Sequence, residues 1–312
     1  MKKFSYKILV FIIVIPILAI ILFEGTCRLL DIPKISHNNI KSKSHDLIPK
    51  IDSNTILFLG DSRIEYGIKP ETINKALTNN DEINIINLAL PGSNGLDIMN
   101  YLKINSIYPK IIILGYSPNY GRYSNHSLDK VTYSNKNRIE EKIKYFLSQN
   151  SFVYDTNSIE EYINGKYPYF KEHKYDNWGG VRVTNNGDYQ KRQLVQHNLY
   201  TEWSNSFNNE DLNNYYAVIS EYRKWFEKGN CKIFGLYMPV SKKLYELEKK
   251  GYDKQYVHNI FHNNYFDHSA MYNNLSNNDS LYFYDGSHLT PKTSISFSED
   301  FGKELRARMN NK

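Results

Sequence analysis

The apolar positions of this chain gather into short continuous runs separated by helix-like stretches. Residues 55–59 (Thr-Ile-Leu-Phe-Leu) form one run, ending at Gly60, and 83–90 and 110–114 form two more. Runs of this length without polar alternation suit strands buried on both faces of a parallel sheet. Between them, Pro70 and Glu71 open one helical stretch, and 96–107 forms another. Leu212, Tyr216, Ile219, Tyr222 and Phe226 fall on one helical face, a buried strand follows over 231–238, and Pro239 ends it. The pattern predicts a last strand at 281–284, a turn at 285–288 and a closing helix over 292–309. Strand alternating with helix indicates an α/β fold built on a doubly wound parallel sheet. The expected domain is 55–312, interrupted at about 117–209 by an insertion rich in tyrosine, asparagine and glycine, with a helical stretch at 138–148. The insertion is expected to cover the carboxyl edge of the sheet.

One run differs in kind. Residues 8–23 are sixteen apolar positions without a charge, preceded by Lys2, Lys3 and Lys7. With the uncharged residues on either side, the stretch approaches the roughly 20 residues that span a hydrocarbon core. Residues 1–30 are therefore expected to be an N-terminal transmembrane helix. The lysines before it predict a cytoplasmic N-terminus, with everything after about residue 30 outside the cytoplasm. A cleaved leader would need a small-x-small site after the run, and lipid attachment at Cys27 would need a leucine that Glu24, Gly25 and Thr26 do not supply. Residues 31–54 are polar and read as a linker.

Composition narrows the function. With 312 residues, 41% of them hydrophobic, the chain can bury a sizeable core, which excludes a disordered tail protein. Two cysteines cannot make a disulfide framework, and no Cys/His spacing suits a structural zinc. Of the formal charge of +6, four cations against Glu24 place +3 in the first thirty residues, leaving no basic stripe for nucleic acid. His173, His262 and His268 are expected at the surface, because no carboxylates converge on them in sequence. Most of the 27 tyrosines are expected to pack with a hydrogen-bonded tip, and some can stack on sugar rings.

Ligands of open α/β sheets bind beyond the carboxyl ends of the strands. After the first strand stands Gly60-Asp61-Ser62-Arg63, placing a serine at the start of a helix with its own N–H free for an oxyanion. After the second comes Pro91-Gly92-Ser93-Asn94, and after the third Gly115-Tyr-Ser-Pro-Asn119. Gly92 lets the backbone approach a ligand, and Asn119 offers an amide donor. After the last comes Asp285-Gly-Ser-His288. A serine hydroxyl needs a base, and His288 is the natural one; Asp285, three residues earlier, can fix its tautomer. The expected triad is Ser62, His288 and Asp285. The Ser62 N–H, Gly92 N–H and Asn119 amide are the oxyanion donors. Asp61, Arg63 and Asn94 are candidate substrate contacts, Arg63 for an anionic group.

Gly60-Asp61-Ser62, the Pro91-Gly92 turn and Asp285-x-x-His288 resemble the blocks of the SGNH/GDSL hydrolase superfamily in order and spacing, over about 55–120 and 212–309. The anchor and the run Ser62-Arg63 to Gly67-Ile68-x-Pro70 are similar to membrane-anchored extracytoplasmic members that acylate cell-surface polysaccharides. Two positions depart from the pattern. Asn119 arrives two residues later than the family's Gly-x-Asn, and Thr293 stands where many relatives have glycine. The resemblance implies a flavodoxin-like sheet, the triad above, no metal or organic cofactor and a cell-surface glycan as substrate. A membrane-embedded acyltransferase is the implied partner and acyl source. Three functions follow from it: an O-acyltransferase, favoured by the membrane tether; a carbohydrate esterase of the same fold; and a noncatalytic glycan-binding or assembly protein that keeps the fold.

Overall fold

The computed structural model describes residues 46–77, 83–90, 93–117, 209–249, 254–273 and 279–310, with scattered helical positions elsewhere, including Lys43. The chain divides into two compact units, one of residues 1–42 and 133–172, the other of 43–132 and 173–312. The sheet belongs to the second. The expected anchor at 1–30 lies almost wholly outside the described residues, among which no helix is long and apolar enough to cross a membrane. The expected insertion at 117–209 lies outside them too, save for its edges and a few helical positions.

Five strands form one all-parallel sheet: β1 (Thr55–Leu59), β2 (Asn84–Asn87), β3 (Ile111–Tyr116), β4 (Lys232–Tyr237) and β5 (Tyr265–Asp267). Their order is β2-β1-β3-β4-β5. The chain builds outward from β1 to β2, then crosses to β3 on the other side. Such a reversal opens a crevice between the carboxyl ends of β1 and β3. β1 and β3 are buried at every position, as their unbroken apolar runs require.

Because successive side chains alternate faces, Ile56 and Phe58 point to one side of the sheet and Leu57 and Leu59 to the other. On the first side the closing helix, α7 (Pro291–Asn310), lays Phe297, Phe301 and Leu305 into the core, with Phe301 edge-on to Phe58. α7 also packs on α1 (Ser62–Gly67) and α2 (Pro70–Leu77), where Gly302 lets it approach Ile73 and Ala76. On the second side α3 (Leu96–Ile104) begins beside Leu59 and Leu114 and packs on α4 (Asn209–Lys228). α5 (Lys242–Glu248) and α6 (Lys254–Phe261) fill the connection from β4 to β5.

Three expectations are corrected. Among the described residues the last strand is β5, and residues 281–284 are not a strand. A 3-10 turn spans Asp279–Leu281, and Phe283 makes only an isolated antiparallel bridge to Leu289 across the following turn. The folded unit also starts before Thr55, because Lys43, Leu47, Ile48 and Ile51 are buried in what reads as polar linker. His268, expected at the surface, is half-buried against Phe266, Phe297 and Phe301, with Glu304 3.0 Å from its Nε2.

Candidate active site

At the carboxyl end of β1 the chain must leave a fully buried strand and start a helix almost at once. Gly60 accomplishes this at φ +142°, a conformation costly for any residue with a Cβ. Asp61 caps α1, its carboxylate accepting the Arg63 N–H at 2.9 Å. Ser62 is therefore the first helical residue, half-buried, with its N–H outside the intrahelical ladder. β3 passes close by. A Cβ on Gly115 would lie 2.4 Å from the Ile64 side chain and 3.3 Å from the Leu59 carbonyl.

The second half comes from the other end of the chain. Asp285 is 3% exposed, and its Oδ1 accepts the Ser287 N–H at 2.9 Å, the Ser287 hydroxyl at 3.0 Å and the His288 N–H at 2.9 Å. Gly286 takes φ +93°, which closes the turn. The Tyr284 N–H donates to the His288 carbonyl at 2.7 Å and seals its base. Asp285 Oδ2 stands 2.8 Å from His288 Nδ1, and His288 Nε2 stands 2.8 Å from Ser62 Oγ. With the Nδ1 proton directed at the carboxylate, Nε2 presents a lone pair to the serine hydroxyl. The Tyr66 ring and the imidazole meet edge to face, centroids 5.3 Å apart. Burial first, then the Glu65 charge, pushes the Tyr66 phenol far up.

Electrostatics keep the acid charged. Burial alone would raise the Asp285 carboxyl, but the facing His288 and the backbone N–H donors outweigh it and hold it below the ordinary carboxylate value. A hydroxyl, an imidazole and a buried carboxylate in this line can move a proton from serine to histidine while the cation that forms stays paired.

The structure thus brings Ser62, His288 and Asp285 together. The other expected site residues fall differently. Arg63 is not in the cleft: it is 3% exposed, and its guanidinium forks onto Glu248 of α5, Nη1 to Oε2 at 3.2 Å and Nη2 to Oε1. A cation desolvated so fully needs a fixed counter-charge, and Glu248 supplies it. Asp61 spends its carboxylate on the helix cap. Asn94 turns its side-chain oxygen onto the Leu96 N–H at 3.1 Å. Gly92 and Asn119 lie outside the described residues. Ser117, two residues past Gly115, is buried at the end of β3. Among the described residues no cluster of His, Cys, Asp and Glu could hold a metal.

Several residues around Ser62 are not singled out as site residues by the sequence. Asn87, at the end of β2, donates its amide to the Ile64 carbonyl at 3.1 Å and tethers α1 to the sheet. Lys43, 1% exposed, reaches Glu65 at 3.2 Å and the Ala89 carbonyl at 2.9 Å. Glu248 sits in a run of lysines and glutamates that reads as a solvated helix face. Only Asn87, the last residue of β2, stands at the carboxyl end of a strand, where a site residue is looked for. No known family model matches the chain, and no curated protein matches it.

Proposed function

We propose that this chain is a membrane-anchored, outward-facing serine enzyme of SGNH type that transfers an acyl group to a hydroxyl of a cell-surface polysaccharide. The observation that carries the proposal is the continuous line from Asp285 Oδ2 through His288 to Ser62 Oγ, both contacts 2.8 Å. Ser62 Oγ attacks the carbonyl carbon of an acyl ester while His288 Nε2 takes its proton, and Asp285 balances the imidazolium. The oxyanion turns to the Ser62 N–H and, on this reading, to Gly92 and Asn119; one such donor is worth about 3 kcal/mol in acyl transfer. The tetrahedral intermediate expels the donor alcohol, which leaves with the proton from His288, and the acyl group stays on Ser62. A glycan hydroxyl then gives its proton to His288 and attacks the acyl-serine, forming the new ester and restoring the Ser62 hydroxyl. The apolar run at 8–23 supports tethering at the surface where such a glycan is displayed.

The test uses the full chain in detergent. A fluorophosphonate should label wild type at Ser62 and leave Ser62→Ala unlabelled. Absence of labelling on folded wild type overturns the proposal and favours a noncatalytic glycan-binding protein. Given an activated acyl ester and an oligosaccharide, the enzyme should form acylated sugar faster than free acid. Free acid alone would make it an esterase.

A further inference from the structure

α5 touches both halves of the triad without contributing a member to it. At its beginning, the Ser241 N–H donates to the Gly286 carbonyl at 2.8 Å, inside the turn that carries Asp285 and His288. The contact is close-packed: a Cβ on Gly286 would lie 2.9 Å from Ser241 Oγ. At its end, Glu248 is 3% exposed and receives the forked guanidinium of Arg63, the residue that directly follows Ser62. Tyr237, the last residue of β4, donates its hydroxyl to Glu248 Oε2 at 2.6 Å. A seven-residue helix spans about 10 Å, so its two ends can brace two segments that stand side by side.

The chemistry of these contacts suits a brace. A buried ion pair adds little net stability compared with apolar side chains of the same volume, because both charges are desolvated. A planar fork on a carboxylate does impose direction, which a greasy contact does not. The Ser62–His288 contact joins segments 226 positions apart in sequence. Backbone continuity therefore does not set its length, and something rigid between the segments must.

We infer that α5 is a strut that sets the distance from nucleophile to base, with Glu248 and Arg63 as positioning residues and Tyr237 as the group that orients Glu248. The inference rests on the reading of Ser62 as nucleophile. A misplacement of about 1 Å can cost about a hundredfold in rate, so the expected effect lies in the chemical step and not in binding.

The experiment measures fluorophosphonate labelling of the full chain, resolved into maximal rate and half-saturating concentration and normalised to the folded fraction. Glu248→Gln keeps the shape and removes the charge. It should lower the maximal rate about 10- to 100-fold with half-saturation changed less than about threefold. The triple variant Arg63→Met, Tyr237→Phe, Glu248→Leu replaces the network with apolar groups. It should melt no lower than Glu248→Gln yet label as slowly. A folded triple variant or Glu248→Gln that labels at the wild-type rate overturns the strut. Should neither fold, Tyr237→Phe decides alone: a severalfold slower maximal rate supports the inference, and a wild-type rate overturns it. Wild type that does not label at all sinks the nucleophile assignment instead, which keeps the two failures apart.

Discussion

Ser62 and His288 meet at 2.8 Å, yet their two segments are secured in opposite ways. The stretch 60–67 is fixed from afar. Arg63 holds Glu248, Glu65 holds Lys43, the Ile64 carbonyl takes the Asn87 amide, and the Gly67 carbonyl takes the Ser298 hydroxyl, partners 22 to 231 positions away. The stretch 283–289 is fixed largely from within, by three donors onto Asp285 Oδ1, the Tyr284 to His288 bond and the bridge from Phe283 to Leu289. Ser62, secured by tertiary contacts, is sensitive to changes in distant parts of the chain. His288, secured mainly by its own turn with Ser241 at the start of α5 as an outside contact, responds chiefly to changes within a few residues and at that contact.

The largest effect expected is common to both segments. Ser62→Ala or His288→Ala should lower turnover of an activated ester on the order of a millionfold, read as kcat/KM, because either removes the proton relay. Asp285→Asn separates the segments. Turnover should fall about 10,000-fold, since the amide no longer holds the imidazole in the required tautomer, while phosphonate docking at Ser62 persists.

The same carboxyl makes the turn acid-sensitive. Its value is lower in the folded protein than in the unfolded chain, so the stability it contributes is complete above the unfolded value near 4 and is lost as pH falls through the folded one. Melting curves between pH 5 and pH 2 should therefore drop more steeply for wild type than for Asp285→Asn. Equal slopes would mean that the carboxylate is not held by this turn.

Smaller effects distinguish the two kinds of support. Gly286→Ala places a side chain at φ +93° and 2.9 Å from Ser241 Oγ, and should cost about 1–3 kcal/mol in thermal unfolding. Gly67→Ala has an ordinary helical backbone, and its Cβ would meet mainly the flexible end of Met238, so it should change stability by less than about 1 kcal/mol. Were Gly67→Ala the worse of the two, the account of a self-contained turn would be wrong.

What the sequence discloses follows from the range of the forces involved. β1, β3 and β4 announce themselves because a strand buried on both faces needs a run of apolar side chains, and β2, with asparagine at both ends, is carried by Ile85 and Ile86 and the apolar residues that flank it. β5 is three residues long with only Phe266 fully buried, too little to form a pattern, whereas the more conspicuous apolar run at 281–284 belongs to the approach to the turn. Ser62, Asp285 and His288 are readable because each stands within four residues of the end of an apolar run and each has a recognisable chemical type. Arg63 misleads for a related reason: a cation beside a serine suggests a substrate contact, and its true partner stands 185 positions away amid charges that look solvated. Lys43 and His268 are missed likewise, since burial of a polar group depends on partners that local composition does not reveal.

The separation of serine and histidine along the chain also has a consequence in time. At about 5 to 20 residues per second, the ribosome finishes His288 roughly 10 to 45 seconds after Ser62, and α7, which locks the nucleophile's helix in place, is made later still. A half-made polypeptide carries an inert alcohol. On the proposed function, reactivity arrives as one of the last events of biosynthesis, because a nascent chain lacks the base that acyl transfer from Ser62 would need.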